Sequence, residues 1–250
     1  MPGKRRQRPG TRRRKQPPAF PRHDRVMVIT AHPDDSEFGA AGTVARFVKQ
    51  GAEVTYVIVT NGNKGSSDRS MTPERLARIR ETEQRNAARV LGVERVEFLG
   101  YDDGEVEDTR RLRLDVTRQI RTWKPQLVIT QNPHRTYNLY ASHRDHRVTA
   151  GVVLDCVYPL ARDHMAFPEL MPKFEPHEVR EVYLMQWENP HVVVDIGETM
   201  DLKIKSLACH QSQFRNFAQV ETWLRERSAA LGKAHGYAYA EAFDRILMPR

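Results

Sequence analysis

A chain of 250 residues, 39% hydrophobic and 29% charged, has the make-up of a soluble globular protein able to bury one large core. No apolar run approaches the roughly 18 residues that a membrane span needs, and two cysteines, Cys156 and Cys209, exclude a disulfide framework or a CxxC metal site. The formal charge of +8 sits entirely in the first fifteen residues, MPGKRRQRPGTRRRK, whose eight Lys and Arg leave 32 basic against 32 acidic residues elsewhere.

The elements follow in chain order. Residues 1–24 read as a basic, disordered tail and linker, with no apolar segment after the arginines that would make a secretory signal. Such an arm binds phosphate backbones weakly and with strong salt dependence. Residues 25–250 read as a single domain. Arg25–Thr30 is a continuous apolar strand, and Ser36–Gln50 has helical spacing at Phe38, Val44, Phe47 and Val48, with Gly51 as its stop. Glu53–Thr60 is a second strand. Thr72-Pro73-Glu74 supplies a cap, an N1 proline and an acidic first turn for a helix that Gly92 ends. Val93–Leu99 is a third strand, Arg110–Trp123 a helix and Gln126–Thr130 a fourth strand. Beyond these, the pattern predicts a helix over Val148–Leu160, strands at Glu181–Trp187 and His191–Ile196 joined by Glu-Asn-Pro, and a helix over Met200–His210. The aromatic segment GYAYAEAFDRIL is expected to dock on the body. Both cysteines fall in apolar surroundings and read as buried free thiols, in keeping with a cytoplasmic location.

Strand and helix alternate four times, and the strands are apolar on both faces. The fold class is therefore α/β: a doubly wound, mainly parallel sheet with helices on both faces and a smaller C-terminal α+β portion. In such a sheet the loops after strands one to four, AHPDD, TNGNKG, YDDG and QNPHRTYNLYASHRDHR, converge on one edge, where ligands collect. No Gly-x-Gly-x-x-Gly follows strand one and no Walker A is present, so a nucleotide site lacks its phosphate cradle.

His32-Pro33-Asp34-Asp35 stands in that place. Taken alone, these residues could cap a helix and close a turn. Ser142-His143-Arg144-Asp145-His146, in the loop after strand four, adds a second His/Asp cluster on the same edge. Two imidazoles and one carboxylate make a zinc site with an open position, and a further carboxylate beside the metal can take a proton from water. Adjacent Asp34 and Asp35 suit that division between base and ligand. His143 and Asp145 supply a pair that can protonate a leaving group or stabilise an oxyanion. The inventory fits metal-assisted hydrolysis of an amide or ester.

AHPDDSE together with SHRDH, on this strand order, resembles the LmbE-like (PIG-L-like) zinc-dependent N-deacetylases, and the likeness runs over about residues 25–250. Looser matches are TNGNKG, IRETEQRNAARVLGV, FLGYDDG, LACHQSQ and YAEAF. The resemblance implies a Rossmann-like, LmbE-like fold and removal of acetyl from a small N-acetylated amino-sugar conjugate. It implies zinc on His32, Asp35 and His146, one ion per subunit, although the same ligands also take Fe²⁺ or Co²⁺. Asp34 is then the general base, and His143 the general acid or oxyanion stabiliser, with Asp145 orienting it. Glu37 is implied as an outer partner of the metal site, and Arg69 and Asp103 as contacts for the sugar. Relatives often form homo-oligomers, and the Trp-bearing C-terminal segments offer an interface. Where some relatives carry an assisting tyrosine, this chain has Ala141, with Tyr137 and Tyr140 nearby. His134 reads as a solvated loop residue and His210 as a structural one. Two other readings stand beside deacetylation: cleavage of a larger thiol-conjugate amide at the same site, and nucleic-acid association through the basic tail.

Overall fold

The computed structural model describes residues 20–134, 142–186 and 190–248. Most of the basic tail, Tyr137, Tyr140, Ala141 and Trp187 lie outside the described residues. Strands β1 (Arg25–Thr30), β2 (Glu53–Thr60), β3 (Arg95–Tyr101) and β4 (Leu127–Thr130) form where the apolar runs lie. Helices α1 (Asp35–Gly39), α2 (Ala41–Lys49), α3 (Pro73–Leu91) and α4 (Arg110–Trp123) connect them. β5 (Glu181–Met185), β6 (Val192–Asp195) and β7 (Ala240–Leu247) complete one seven-stranded sheet in the order β3-β2-β1-β4-β5-β7-β6. The first five strands in that order are parallel, and β7 runs antiparallel to both β5 and β6. The expected doubly wound sheet is therefore present.

Burial explains the arrangement. Val26, Val28 and Ile58 face one core with Phe47 and Leu91, while Met27, Ile29 and Val57 face the other with Leu112 and Ile120. Two-faced burial is why the central strands lack polar alternation. The chain leaves β1 toward β2 on one side and returns to β4 on the other. The crevice beyond the ends of β1 and β4 is thus the topological switch point, the place such sheets keep for ligands.

Several expectations need correction. The helix expected over Ser36–Gln50 breaks at Ala40 (φ −145°, ψ 0°). There Glu241 of β7 accepts the Gly42 and Thr43 N–H groups at 2.9 and 2.7 Å and starts α2 afresh. The third strand begins and ends two residues later than expected. The helix expected from Val148 begins at Arg144 as α5 (Arg144–Asp155), and a π-type turn over Cys156–Leu160 takes up the Tyr158-Pro159 kink. The aromatic C-terminal segment, expected to dock on the body, does so as β7, which lies between β5 and β6 in the sheet. The next helix, α6 (Met200–Leu207), ends sooner than expected, and α7 (Phe217–His235) has no counterpart in the sequence reading. Cys156 is buried as expected, whereas Cys209 is partly exposed. No helix among the described residues is long and apolar enough to cross a membrane.

Candidate active site

Strand β1 ends at Thr30, and the next five residues carry the site. His32 is pinned by its own backbone: its N–H donates to Asp35 Oδ2 at 2.7 Å. Gln131, the first residue after β4, accepts the Ala31 N–H at 3.1 Å and donates to the same Asp35 Oδ2 at 2.7 Å. With Oδ2 so engaged, Asp35 Oδ1 turns toward His146 Nε2, 3.0 Å away. His146 comes from the first turn of α5, and its Nε2 is 3.2 Å from His32 Nδ1. His32 Nδ1 is in turn 3.4 Å from Asp35 Oδ2. The structure therefore brings His32, Asp35 and His146 together from the loops beyond β1 and β4.

The other nitrogen of His32 sets its tautomer. Nε2 lies 3.1 Å from Asp103 Oδ1 and 3.2 Å from Asp145 Oδ2, both acceptors, so the ring proton belongs there and Nδ1 is free to coordinate. Asp145 Oδ2 also accepts the Gly104 N–H at 2.6 Å, which ties the loop after β3 to α5. The Asp145 carboxylate was expected to orient His143, but it faces His32 instead. The backbone N–H of Asp145 does the orienting, donating to His143 Nδ1 at 3.2 Å as the cap of α5. Because that nitrogen accepts, a neutral His143 must carry its proton on Nε2, which makes it a donor on the exposed side of the site. The His143 ring lies 5.0 Å from that of His32 and 5.4 Å from that of His146.

The charge balance asks for a cation. Asp34, Asp35, Asp103 and Asp145 crowd the site against two arginines, Arg80, 3.4 Å from Asp34 and 3.8 Å from Asp103, and Arg144, 3.8 Å from Asp145. Burial opposes charging the His32 ring, yet its contacts with Asp103, Asp145 and Asp35 outweigh this and raise its pKa well above the ordinary imidazole value. Burial likewise opposes ionisation of Asp35, but His146 and His32 hold its carboxyl well below the usual range. Burial, partly offset by Arg80 and reinforced by Asp35, pushes Asp34 up to about 6. Burial and the neighbouring His32 and His146 lower the pKa of His143.

A tetrahedral zinc with donors at about 2.0–2.1 Å requires donor–donor separations of about 3.3 Å. His146 Nε2 stands 3.0 Å from Asp35 Oδ1 and 3.2 Å from His32 Nδ1, close to that spacing, while His32 Nδ1 meets the other Asp35 oxygen, Oδ2, at 3.4 Å. Two groups among the described residues have one ligand atom from each member within 4.8 Å of one another, and neither includes Asp35: His32 with His143 and His146, and His32 with Asp103 and Asp145. The first would need the His143 tautomer reversed, and the second would take the nitrogen that carries the His32 proton. Asp145→Asn keeps an acceptor for Gly104 but removes the charge behind His32. It is expected to weaken zinc binding by about 10–100-fold with the fold intact. Competition with a chromophoric chelator measures this, and unchanged affinity would show that His32 does not depend on Asp145.

Of the remaining expected residues, Glu37 is buried beneath Asp34, where it accepts both contacts of Gln84 Nε2 at 3.1 Å. Its Oε2 lies 3.3 Å from Nε2 of the equally buried His210. Asp103 stands inside the site against His32 and Arg80. Arg69 is exposed and makes no hydrogen bond or ion pair with a described residue. Sequence reasoning missed Arg80, Gln84 and Gln131. Arg80 donates to Gly62 O at 3.2 Å and Pro33 O at 2.8 Å, binding two loops together. Gly62 has φ +63°, and a Cβ there would stand 2.4 Å from the Arg80 guanidinium, so only glycine admits the contact.

Fold and site together define the class: a doubly wound α/β protein whose His/Asp centre at the switch point can hold a metal. The family model described as PIG-L, GlcNAc-PI de-N-acetylase, matches residues 27–157, and the chain belongs to this family. It is 29% identical over 219 residues to the diacetylchitobiose deacetylase of Thermococcus kodakarensis, covering 87% of this chain and 81% of that protein. It is 28% identical to a probable N-acetyl-alpha-D-glucosaminyl L-malate deacetylase 2 of Bacillus anthracis, covering 76% of this chain and 81% of that one. Among solved structures, the N,N'-diacetylchitobiose deacetylase from Pyrococcus horikoshii superposes with a TM-score of 0.84 at 32% identity, covering 90% of this chain and 84% of that chain. The reaction class expected from the motifs, hydrolysis of an N-acetyl amide, is the one these relatives carry in their names.

Proposed function

We propose that the chain is a zinc-dependent hydrolase that removes the N-acetyl group from an N-acetylglucosamine-type small glycoconjugate. One observation supports the reading: His146 Nε2 stands 3.0 Å from Asp35 Oδ1 and 3.2 Å from His32 Nδ1, and the adjacent carboxylate, Asp34, is held 3.4 Å from Arg80 and makes no contact with these three residues' donor atoms. A divalent ion such as zinc held there supplies a Lewis acid that polarises the amide carbonyl and acidifies water. Asp34 accepts the proton of the attacking water as the C–O bond forms. The Nε2–H of His143 faces the oxygen that becomes negative, and the proton taken up by Asp34 passes to the departing nitrogen as the C–N bond breaks. The products are acetate and a free amine. Asp103 is assigned to the sugar hydroxyls from its place on the loop after β3, and Arg69 to the same ligand if the loop after β2 folds over it.

The test is a primary-amine release assay on a panel of N-acetylglucosamine glycosides. Amine release that stops with a chelator and returns with added zinc is the expected result. Release that persists in the metal-stripped protein would overturn the metal-centred reading.

A further inference from the structure

The peptide group that leads into Asp34 is held at both ends by one helix. Its carbonyl, Pro33 O, accepts from Arg80 Nη2 at 2.8 Å, and its N–H, on Asp34, donates to Gln84 Oε1 at 2.9 Å. Arg80 and Gln84 are four residues apart on α3 and so share a face, and both are buried. The orientation of this peptide plane sets φ at Asp34, which is +82°. A non-glycine residue is strained in that left-handed region and keeps it only where its surroundings enforce it. On its other side Asp34 is fixed by its own carbonyl, which accepts the Glu37 and Phe38 N–H groups at 3.0 Å.

Gln84 cannot present its amide the other way round. Its Nε2 donates to both oxygens of Glu37, so Oε1 is the end left for the Asp34 N–H. Glu37 and His210, 3.3 Å apart and wholly buried, complete the support. The left-handed turn separates the duties of two adjacent carboxylates. Asp35 Oδ1 reaches His146 Nε2, while Asp34 Oδ2 stays 3.4 Å from Arg80.

We propose that Gln84, oriented by Glu37, acts with Arg80 as a peptide clamp that positions the catalytic base: the pair holds the Pro33–Asp34 peptide so that the Asp34 carboxylate faces the attacking water and stays off the metal. This rests on the reading of Asp34 as the base. It assigns Gln84, Arg80 and Glu37 a positioning role, distinct from binding substrate or metal.

The experiment uses the zinc-loaded full chain. Gln84→Met removes the acceptor at nearly constant volume and is expected to lower kcat about 10–100-fold, as a small misplacement of a catalytic group does. KM and zinc content stay within two-fold of the parent, a split that general loosening of the fold would not give. A crystal structure of the variant is expected to show Asp34 relaxed away from positive φ. In an Asp34→Asn background, followed in single turnovers with excess enzyme, Gln84→Met has no further effect, because the group it positions is gone. The exchange Glu37→Gln with Gln84→Glu again sets an acceptor against the Asp34 N–H and a donor against that acceptor, and is expected to recover kcat. A parental kcat in Gln84→Met, or the same fold-loss in both backgrounds, overturns the clamp. If Gln84→Met does not fold, a folded, zinc-loaded exchange variant with kcat still ten-fold down overturns it instead. Parental turnover by Asp34→Asn alone would remove the base reading, a distinct outcome.

Discussion

Asp34→Asn is expected to bind zinc like the parent and to lose about 10²–10⁴-fold in kcat, the usual range for a positioned general base. The substitution is isosteric and leaves the backbone contacts of residue 34 with Gln84 and Arg80 in place. Asn can still accept from Arg80 but has no basic oxygen for the proton of water. The donors His32, Asp35 and His146 are untouched, so the metal site survives. Burial, like-charged Asp35 and the opposing Arg80 together put Asp34 near 6 in the metal-free protein, within reach of a neutral working pH, and a bound cation would lower that value. The measurement pairs amine-release kinetics with zinc content after dialysis. A variant that turned over at the parental rate would move the base to another group, with His143 the first to test.

How far the sequence reached depended on whether the physical cause was local. The central strands and α3 were legible because a continuous apolar run, a Thr72-Pro73 start and a Gly92 stop each act within a few residues. His32 and Asp35 stood out as candidates only beside the second His/Asp cluster, His143 to His146, because two such clusters on one sheet edge exceed what turn and cap chemistry needs. The start of α5 was not, since its cap is an imidazole, a residue that no propensity marks as a cap. That error left Asp145 and His146 in a loop, whereas the first helical turn holds them rigidly. α7 was hidden because the residues it buries are Leu224, Ser228 and Gly232, which make no apolar stripe. The pairing of β7 between β5 and β6 depends on contacts distant in sequence, which spacing does not encode. Arg80 and Gln84 look like a solvated helix face in one dimension. Only the packing of α3 over the β1 loop turns them inward, and Gly62 was the local trace of that approach.

The same geometry explains why one side chain on α5 should control occupancy of the metal site. His146→Ala is expected to reduce bound zinc from about one equivalent per chain to almost none after dialysis, with activity lost in parallel. Its Nε2 is the donor that meets both other ligands, at 3.0 Å from Asp35 Oδ1 and 3.2 Å from His32 Nδ1. Without it two donors remain, and the loss of affinity should exceed the roughly 10–100-fold expected when only an outer partner such as Asp145 is weakened. The fold should not suffer. Alanine is a strong helix former, and α5 keeps its cap from His143 and its buried face of Thr149, Ala150, Val152 and Val153. Circular dichroism and thermal melting of the metal-free proteins should therefore agree between variant and parent, while zinc should raise the melting temperature of the parent alone, because only the parent binds it tightly in the folded state. A variant that kept full zinc and full stabilisation by it would mean that the ion sits on the His32, Asp103 and Asp145 group instead, and the roles of Asp34 and His143 would have to be rebuilt around that position.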